Sequence, residues 1–215
     1  EPHSGAMRVL VSNVYTKNPQ STELLNGIKK HNPDLVLFLE VDELWNKELS
    51  KLEDSYPYHV EEVRPDNFGI ALWSKFPLAD VKVARLGNTQ LPSIVGTITW
   101  KEKIINLIAT HPLPPVSLYN YESNRAQIRT IGDLLKTRQG PSILIGDLNA
   151  SPWTLSFKNL ILNTGLVNPR KDFGLLPSWP TNKVPLFIPI DHILVSKDFM
   201  VLNLQTDVAV GSDHR

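Results

Sequence analysis

Ser142-Ile143-Leu144-Ile145-Gly146-Asp147-Leu148-Asn149 is the stretch on which the reading of this chain turns. Ser142 to Ile145 has the apolar character of a strand buried on both faces. Asp147 and Asn149, two residues apart at its exit, point the same way because strand side chains alternate with a period of two. Gly146 has no Cβ and lets a neighbouring group approach closely. A buried strand that delivers a carboxylate and an amide to one rim predicts a layered sheet protein with a polar site at strand ends.

The pattern repeats outward from there. Met7 to Val14 reads as an opening strand with Asn13 near its end, and the apolar run Leu35 to Leu39 is followed by Glu40. Phe68–Trp73, Leu78–Ala84, Ser93–Trp100 and Ile104–Thr110 read as successive strands, the last followed by His111. The short Trp100–Lys103 link suits an antiparallel hairpin. Strands at His192–Val195, entered through Asp191, and at Val201–Val208, followed by Asp213 and His214, close the chain. Helices are expected from Ser21, as a cap, with Leu24, Leu25 and Ile28 in one stripe, and from Glu43, with Leu44, Trp45, Leu49 and Leu52 inward. Two more span Asn120–Thr137, through Ile128, Ile131, Leu134 and Leu135, and Trp153–Leu162; Asn168–Pro189 reads as irregular.

Helices early and midway, with consecutive strands between them, predict an α+β fold: two packed, mainly antiparallel sheets with helices on the outer faces. No boundary divides the chain into separate cores, so residues 7–215 are one expected domain and residues 1–6 a linker. The 41% apolar content supports a substantial core. The 22 basic and 22 acidic residues cancel, which argues against non-specific grip on long nucleic acid. The absence of cysteine excludes disulfides, thiolate nucleophiles and cysteine-ligated zinc.

Taken singly, the strand-end residues have ordinary explanations. Asn13 suits a turn, Glu40 the start of a helix, and His111 a loop histidine bonded to a carbonyl. Jointly they suit hydrolysis of a phosphate ester. Glu40, Asp213 and the Asn13 amide can offer oxygen ligands to a hard divalent cation. Asp147, with Asn149, can orient and deprotonate an attacking water. His111, His214 and Asn149 are candidate donors to the phosphoryl oxygens, and Asp191 is the natural carboxylate to fix the His214 tautomer. No Walker-type loop, Gly-x-Ser-x-Gly elbow, His-Glu-x-x-His or Gly-x-Gly-x-x-Gly motif competes.

The ordered series Asn13, Glu40, Phe68–Ser74, Thr110–His111–Pro112, Gly146–Asp147–Leu148–Asn149, Ile190–Asp191–His192–Ile193 and Gly211–Ser212–Asp213–His214–Arg215 resembles the endonuclease/exonuclease/phosphatase superfamily over nearly the whole chain. The resemblance implies a four-layer sandwich with a deoxyribonuclease I-like fold and dependence on Mg²⁺ or Mn²⁺. It implies Glu40 as metal ligand with Asn13 and Asp213 near the metal, Asp147 and Asn149 positioning water and phosphate, a His214–Asp191 pair, and His111 on a phosphate oxygen. Thr110–Pro115, Asn149–Trp153 and Ser178–Pro180 are similar to a bacterial subgroup whose members often follow membrane-spanning helices, so a tether upstream of Glu1, with an extracytoplasmic or membrane-anchored domain, is expected.

Two departures stand out. Apurinic-site endonucleases are expected to carry tyrosine at the His111 position. The family's last strand normally continues past Ser-Asp-His, so either the sequence is cut short of that strand or His214 is weakly held. The expected protein is a monomeric phosphoesterase acting on a nucleic acid, nucleotide, phospholipid or inositol phosphate, with Trp153, Trp179 and Phe187 as cleft walls or core. A catalytically silent phospho-ligand-binding module is the alternative.

Overall fold

The computed structural model describes residues 5–18, 20–181, 187–207 and 210–215. Two mixed sheets form the centre. The first has the order β1 (Val9–Asn13), β2 (Leu35–Leu39), β4 (Ile70–Ser74), β3 (Tyr58–Glu62); the second runs β5 (Leu78–Arg85), β6 (Pro92–Trp100), β7 (Lys103–Thr110), β8 (Ser142–Asp147), β9 (Asp191–Val195). Only β1–β2 and β7–β8 pair in parallel, and the other pairings are antiparallel. The expected hairpin is present, with Trp100 opposite Lys103.

Strand periodicity sorts the apolar side chains into layers. Leu35, Leu37 and Leu39 of β2 meet Ile94, Ile98, Leu107, Ile143 and Ile145 between the sheets. Val36 and Phe38, one residue out of phase, turn to the opposite face, under Leu24, Leu25 and Ile28 of α1 (Ser21–His31) and Trp45 and Leu49 of α2 (Glu43–Leu49). Ile108 and Leu144 likewise leave the central layer to pack beneath α3 (Leu118–Lys136) and α4 (Leu155–Thr164). The result is helix, sheet, sheet, helix. A strand buried on both faces needs apolar residues at every position, which is why β2 and β8 read as continuous runs.

Several local expectations differ from the structure. Ser21 is the first residue of α1; Gln20 precedes it as N-cap without a side-chain bond, and the Ser21 hydroxyl donates to Glu48 Oε2 at 2.8 Å. The helix cap there is replaced by a tie between helices. Asp42 does cap α2, accepting from Trp45 N at 2.8 Å. Leu44 is 74% exposed, because α2 turns Trp45 and Leu49 to the core one step away. The fourth helix begins at Leu155, capped by Thr154, and leaves Trp153 in the preceding turn. A short helix, α5 (Arg170–Phe173), interrupts the segment read as irregular.

The strand expected at Val201–Val208 is absent through residue 207, and Val208 lies outside the described residues. Alternating apolar residues supply strand propensity, but a strand exists only when a neighbouring edge takes its N–H and C=O groups. Among the described residues none forms a β-ladder or β-bridge with 201–207. No helix among them is long and apolar enough to cross a membrane.

The topology gathers chemistry at one rim. The parallel pairs β1–β2 and β7–β8 each end at the same edge of their sheet, and β9, antiparallel to β8, begins there with Asp191 opposite Asp147. The β1–β2 pair packs across the central layer from β8 and β9. Asn13, Glu40, His111, Asp147 and Asp191 therefore emerge from two sheets into one space.

Candidate active site

Asp147 is the most enclosed acid of the group, 1% exposed. Its Oδ1 accepts from the Asn149 backbone N–H at 2.8 Å, which locks the carboxylate against its own turn. Its Oδ2 faces two imidazoles, His111 Nε2 at 3.5 Å and His214 Nε2 at 3.8 Å. Gly146 makes this geometry accessible. It has φ of +146°, and a Cβ there would sit 1.9 Å from the Thr110 carbonyl oxygen on the parallel neighbour. That close approach brings the ends of β7 and β8 together.

His214 Nδ1 donates to Asp191 Oδ2 at 2.8 Å. Burial works against a charged ring, but Asp191, with further help from Asp147 and Asp213, lifts the His214 pKa to about 10. Burial likewise opposes the Asp191 carboxylate, yet the charge and hydrogen bond of His214, with help from the Ser178 hydroxyl, outweigh it and hold the carboxyl below its ordinary value. The pair is thus an imidazolium and a carboxylate. Of the two alternatives for the end of the sequence, its setting speaks against a weakly held histidine. His214 is 7% exposed, its N–H donates to Ser212 Oγ at 3.1 Å, and Arg215 N donates to Ser178 O at 3.0 Å.

His214 Nε2 is the point where the rest converge. Asn13 Nδ2 lies 3.4 Å from it and donates to Glu40 Oε1 at 2.9 Å; Asp213 Oδ1 is 4.0 Å away. The Asn13 oxygen accepts from Tyr15 N at 3.1 Å, so Asn13 shows the site its amide N–H groups. Glu40 is buried at φ of +66°, in the left-handed region that costs a non-glycine residue strain and is common at functional sites. Its backbone carbonyl accepts from Thr16 Oγ1 at 3.0 Å. All eight residues singled out from the sequence, Asn13, Glu40, His111, Asp147, Asn149, Asp191, Asp213 and His214, join one network.

One of them is deployed differently from the simple reading. The Asn149 side chain donates to Pro112 O at 3.0 Å, knitting the loop after β8 to the loop after β7, while its backbone N–H holds Asp147. His192, beside Asp191, is structural. Its Nε2 lies 2.9 Å from Ala150 O and its ring packs on Phe157, with burial and nearby Arg170 lowering its pKa to about 4.

Other contributors were given no role from the sequence. Ser178 Oγ accepts from both Ile190 N and Asp191 N at 3.1 Å and so fixes the entry of β9. Ser212 Oγ donates to Asn13 O at 2.7 Å and ties the chain end to β1. The Phe68 ring lies 5.1 Å from His111, and Asn124 donates to both Leu113 O and Leu148 O. A serine in a loop or an asparagine in a helix gives no signal of a partner remote in sequence. Of the aromatic candidates, Trp179 touches the site, donating from Nε1 to Asp213 Oδ2 at 3.0 Å. Phe187 lies under the Arg215 guanidinium, and Trp153 is exposed.

The residues fit a hard cation. Four carboxylates, Glu40, Asp147, Asp191 and Asp213, meet here, and the buried Asp191 Oδ1 accepts no hydrogen bond among the described residues. Asp147, Asp191 and His214 offer ligand atoms all within 4.8 Å of one another. With His214 protonated, however, its nitrogens are donors, and that trio acts as a hydrogen-bonded unit.

The family model described as Endonuclease/Exonuclease/phosphatase family matches residues 10–214. The chain belongs to that family. Solved structures with the same fold include an endonuclease/exonuclease/phosphatase from Beutenbergia cavernae, 19% identical with a TM-score of 0.77, covering 97% of this chain and 69% of that one. The human Nocturnin catalytic domain with bound sulfate is 20% identical, with a TM-score of 0.72 and coverage of 89% and 83%. A Staphylococcus aureus beta toxin mutant with bound magnesium ions is 19% identical, with a TM-score of 0.69 and coverage of 91% and 85%. No curated protein matches the chain. Membership of the endonuclease/exonuclease/phosphatase family accounts for the two-sheet sandwich.

Proposed function

We propose that this family member is a divalent-metal-dependent phosphoesterase that hydrolyses its substrate by direct attack of water. The observation that carries the reading is the Asp147 carboxylate, buried at the meeting of both sheets and faced by His111 and His214.

Asp147 takes a proton from the attacking water as the water oxygen forms a new bond to phosphorus, and the ester P–O bond opposite breaks, its electron pair leaving with the ester oxygen. The His214 imidazolium and the Asn13 amide, two donors 3.4 Å apart, share no acceptor when the ring is charged; a phosphoryl oxygen would accept from both. His111 supplies a further donor beside Asp147, and Asp191 keeps the His214 ring oriented and charged. Glu40, with Asp213, would hold Mg²⁺ or Mn²⁺, and Asn13 orients the Glu40 carboxylate. A bound cation supplies charge withdrawal from the phosphoryl oxygens and offsets the carboxylates. The magnesium reported in the beta toxin structure supports this choice of ion.

The test is a panel of bis-p-nitrophenyl phosphate, DNA, RNA, nucleotides, inositol phosphates and sphingomyelin, each with Mg²⁺ or Mn²⁺. Turnover of at least one, abolished by EDTA and by Asp147→Asn, is the expected result. No turnover with any ion overturns the enzyme reading in favour of a phospho-ligand-binding module.

A further inference from the structure

The two loops that carry the site also carry an uncharged, apolar outer surface. His111 and Asn149 emerge from adjacent parallel strands, and the helices that follow, α3 and α4, lie side by side, so that Glu122 and Ser156 border one groove near their starts and Asp133 and Asn163 the same groove further along. Six large side chains on these loops and first turns, Val116, Leu118, Tyr119, Tyr121, Trp153 and Leu155, are exposed, from 43% for Tyr121 to 80% for Val116. They are not loosely attached: Asn149 Nδ2 bonds Pro112 O, and Asn124 bonds Leu113 O and Leu148 O, so both loops are tied to each other and to Asp147's turn.

Charge decides what this surface fits. Residues 111–121 and 148–157 contain no Asp, Glu, Lys or Arg, in a chain that is 20% charged. The nearest cations are the single Lys158 on the first turn of α4, and Arg125 and Arg129 on α3, which share their groove with Glu122 and Asp133. A polyanion such as nucleic acid would call for a basic rim, and an anionic membrane for lysines and arginines beside the apolar residues. Exposed Leu and Val with Trp and Tyr, and no net charge, match the interface of a neutral bilayer, where amphipathic rings settle at headgroup level. We propose that this rim docks on a zwitterionic lipid surface and presents a phosphodiester headgroup to the site. The choice of a lipid phosphoester rests on the phosphoesterase reading; the docking surface does not.

The test is flotation with phosphatidylcholine vesicles, alongside hydrolysis of soluble bis-p-nitrophenyl phosphate by the same preparations. Wild-type protein is expected to float, with little change at high salt. Val116→Asp with Leu118→Asp should lower the bound fraction at least about tenfold, the loss expected when two apolar side chains no longer enter the interface, with soluble hydrolysis unchanged. The milder Val116→Ser with Leu118→Ser should give a smaller loss in the same direction. Failure to float, binding only to anionic vesicles and lost in salt, indifference to both variant pairs, or retention of single-stranded DNA in place of vesicles each overturns the proposal. Floating without hydrolysis of any ester rejects the enzyme reading and leaves the docking surface standing; hydrolysis without floating rejects the docking surface alone.

Discussion

Replacing Asp191 with Asn removes the charge bonded to the His214 ring while keeping nearly the same shape. In the metal-free protein His214 has a pKa of about 10, against an ordinary value of 6.5. The causes are unequal. Burial pulls the value down, and Asp191 at 2.8 Å is the largest of the groups that raise it; Asp147 at 3.8 Å and Asp213 at 4.0 Å remain in the variant. An opposite charge at contact distance contributes about 1–3 pH units, so Asp191→Asn should bring the His214 pKa from about 10 to roughly 7–9. The consequence for stability has a definite sign. A pKa raised on folding stabilises fully below about 6.5 and loses that contribution as pH rises through about 10. Wild-type protein in EDTA should therefore lose stability between about pH 6.5 and 10, whereas the variant should lose its smaller His214 contribution between about pH 6.5 and roughly 7–9. Long-range ¹H–¹⁵N spectra of the histidine rings, with His214→Gln to assign the signal, measure the pKa; urea denaturation across pH measures the linkage. A wild-type His214 signal titrating near 6.5, or one unchanged in Asp191→Asn, would refute the charged-pair argument.

Other expectations follow from the same geometry. Asp147→Asn should lower turnover by about 10²–10⁴-fold with the fold intact by circular dichroism, and a variant keeping a tenth of the rate would remove Asp147 from proton transfer. Glu40→Gln should weaken metal affinity, so isothermal titration should show a higher Kd for Mg²⁺ and excess Mg²⁺ should restore part of the activity; an unchanged Kd would exclude Glu40 as a ligand. Gly146→Ala places a Cβ 1.9 Å from Thr110 O at a φ of +146°, and should cost about 3 kcal/mol or more in urea denaturation. Ser178→Ala strands the buried N–H groups of Ile190 and Asp191, with an expected loss of about 2–4 kcal/mol; a loss under 1 kcal/mol would mean that the Ser178 hydroxyl is not what satisfies them.

Residue order alone carried a good part of this protein. Continuous apolar runs such as Leu35–Leu39 and Ser142–Ile145 require burial on both faces, and so determine central strands between a second sheet and a helical layer. The polar residues that end them are local facts of sequence, which is why all eight candidate residues could be named before any contact was known. Tertiary structure decided what proximity alone can decide. Val201–Asp207 has strand-like alternation and no strand, because an edge partner is a property of the fold. Leu44 is exposed because the pitch of a short helix selects Trp45 and Leu49 instead. Ser178 and Ser212 hold Asp191 and His214 through bonds to residues 12 to 199 positions away. The left-handed turn at Glu40, the spending of the Asn149 amide on Pro112 and the charged state of His214 all depend on which groups the two sheets bring within a few ångströms. Hydrophobic period and residue type act along the chain and are written in it; hydrogen-bond partners and electrostatic fields act through space, and only folding sets them.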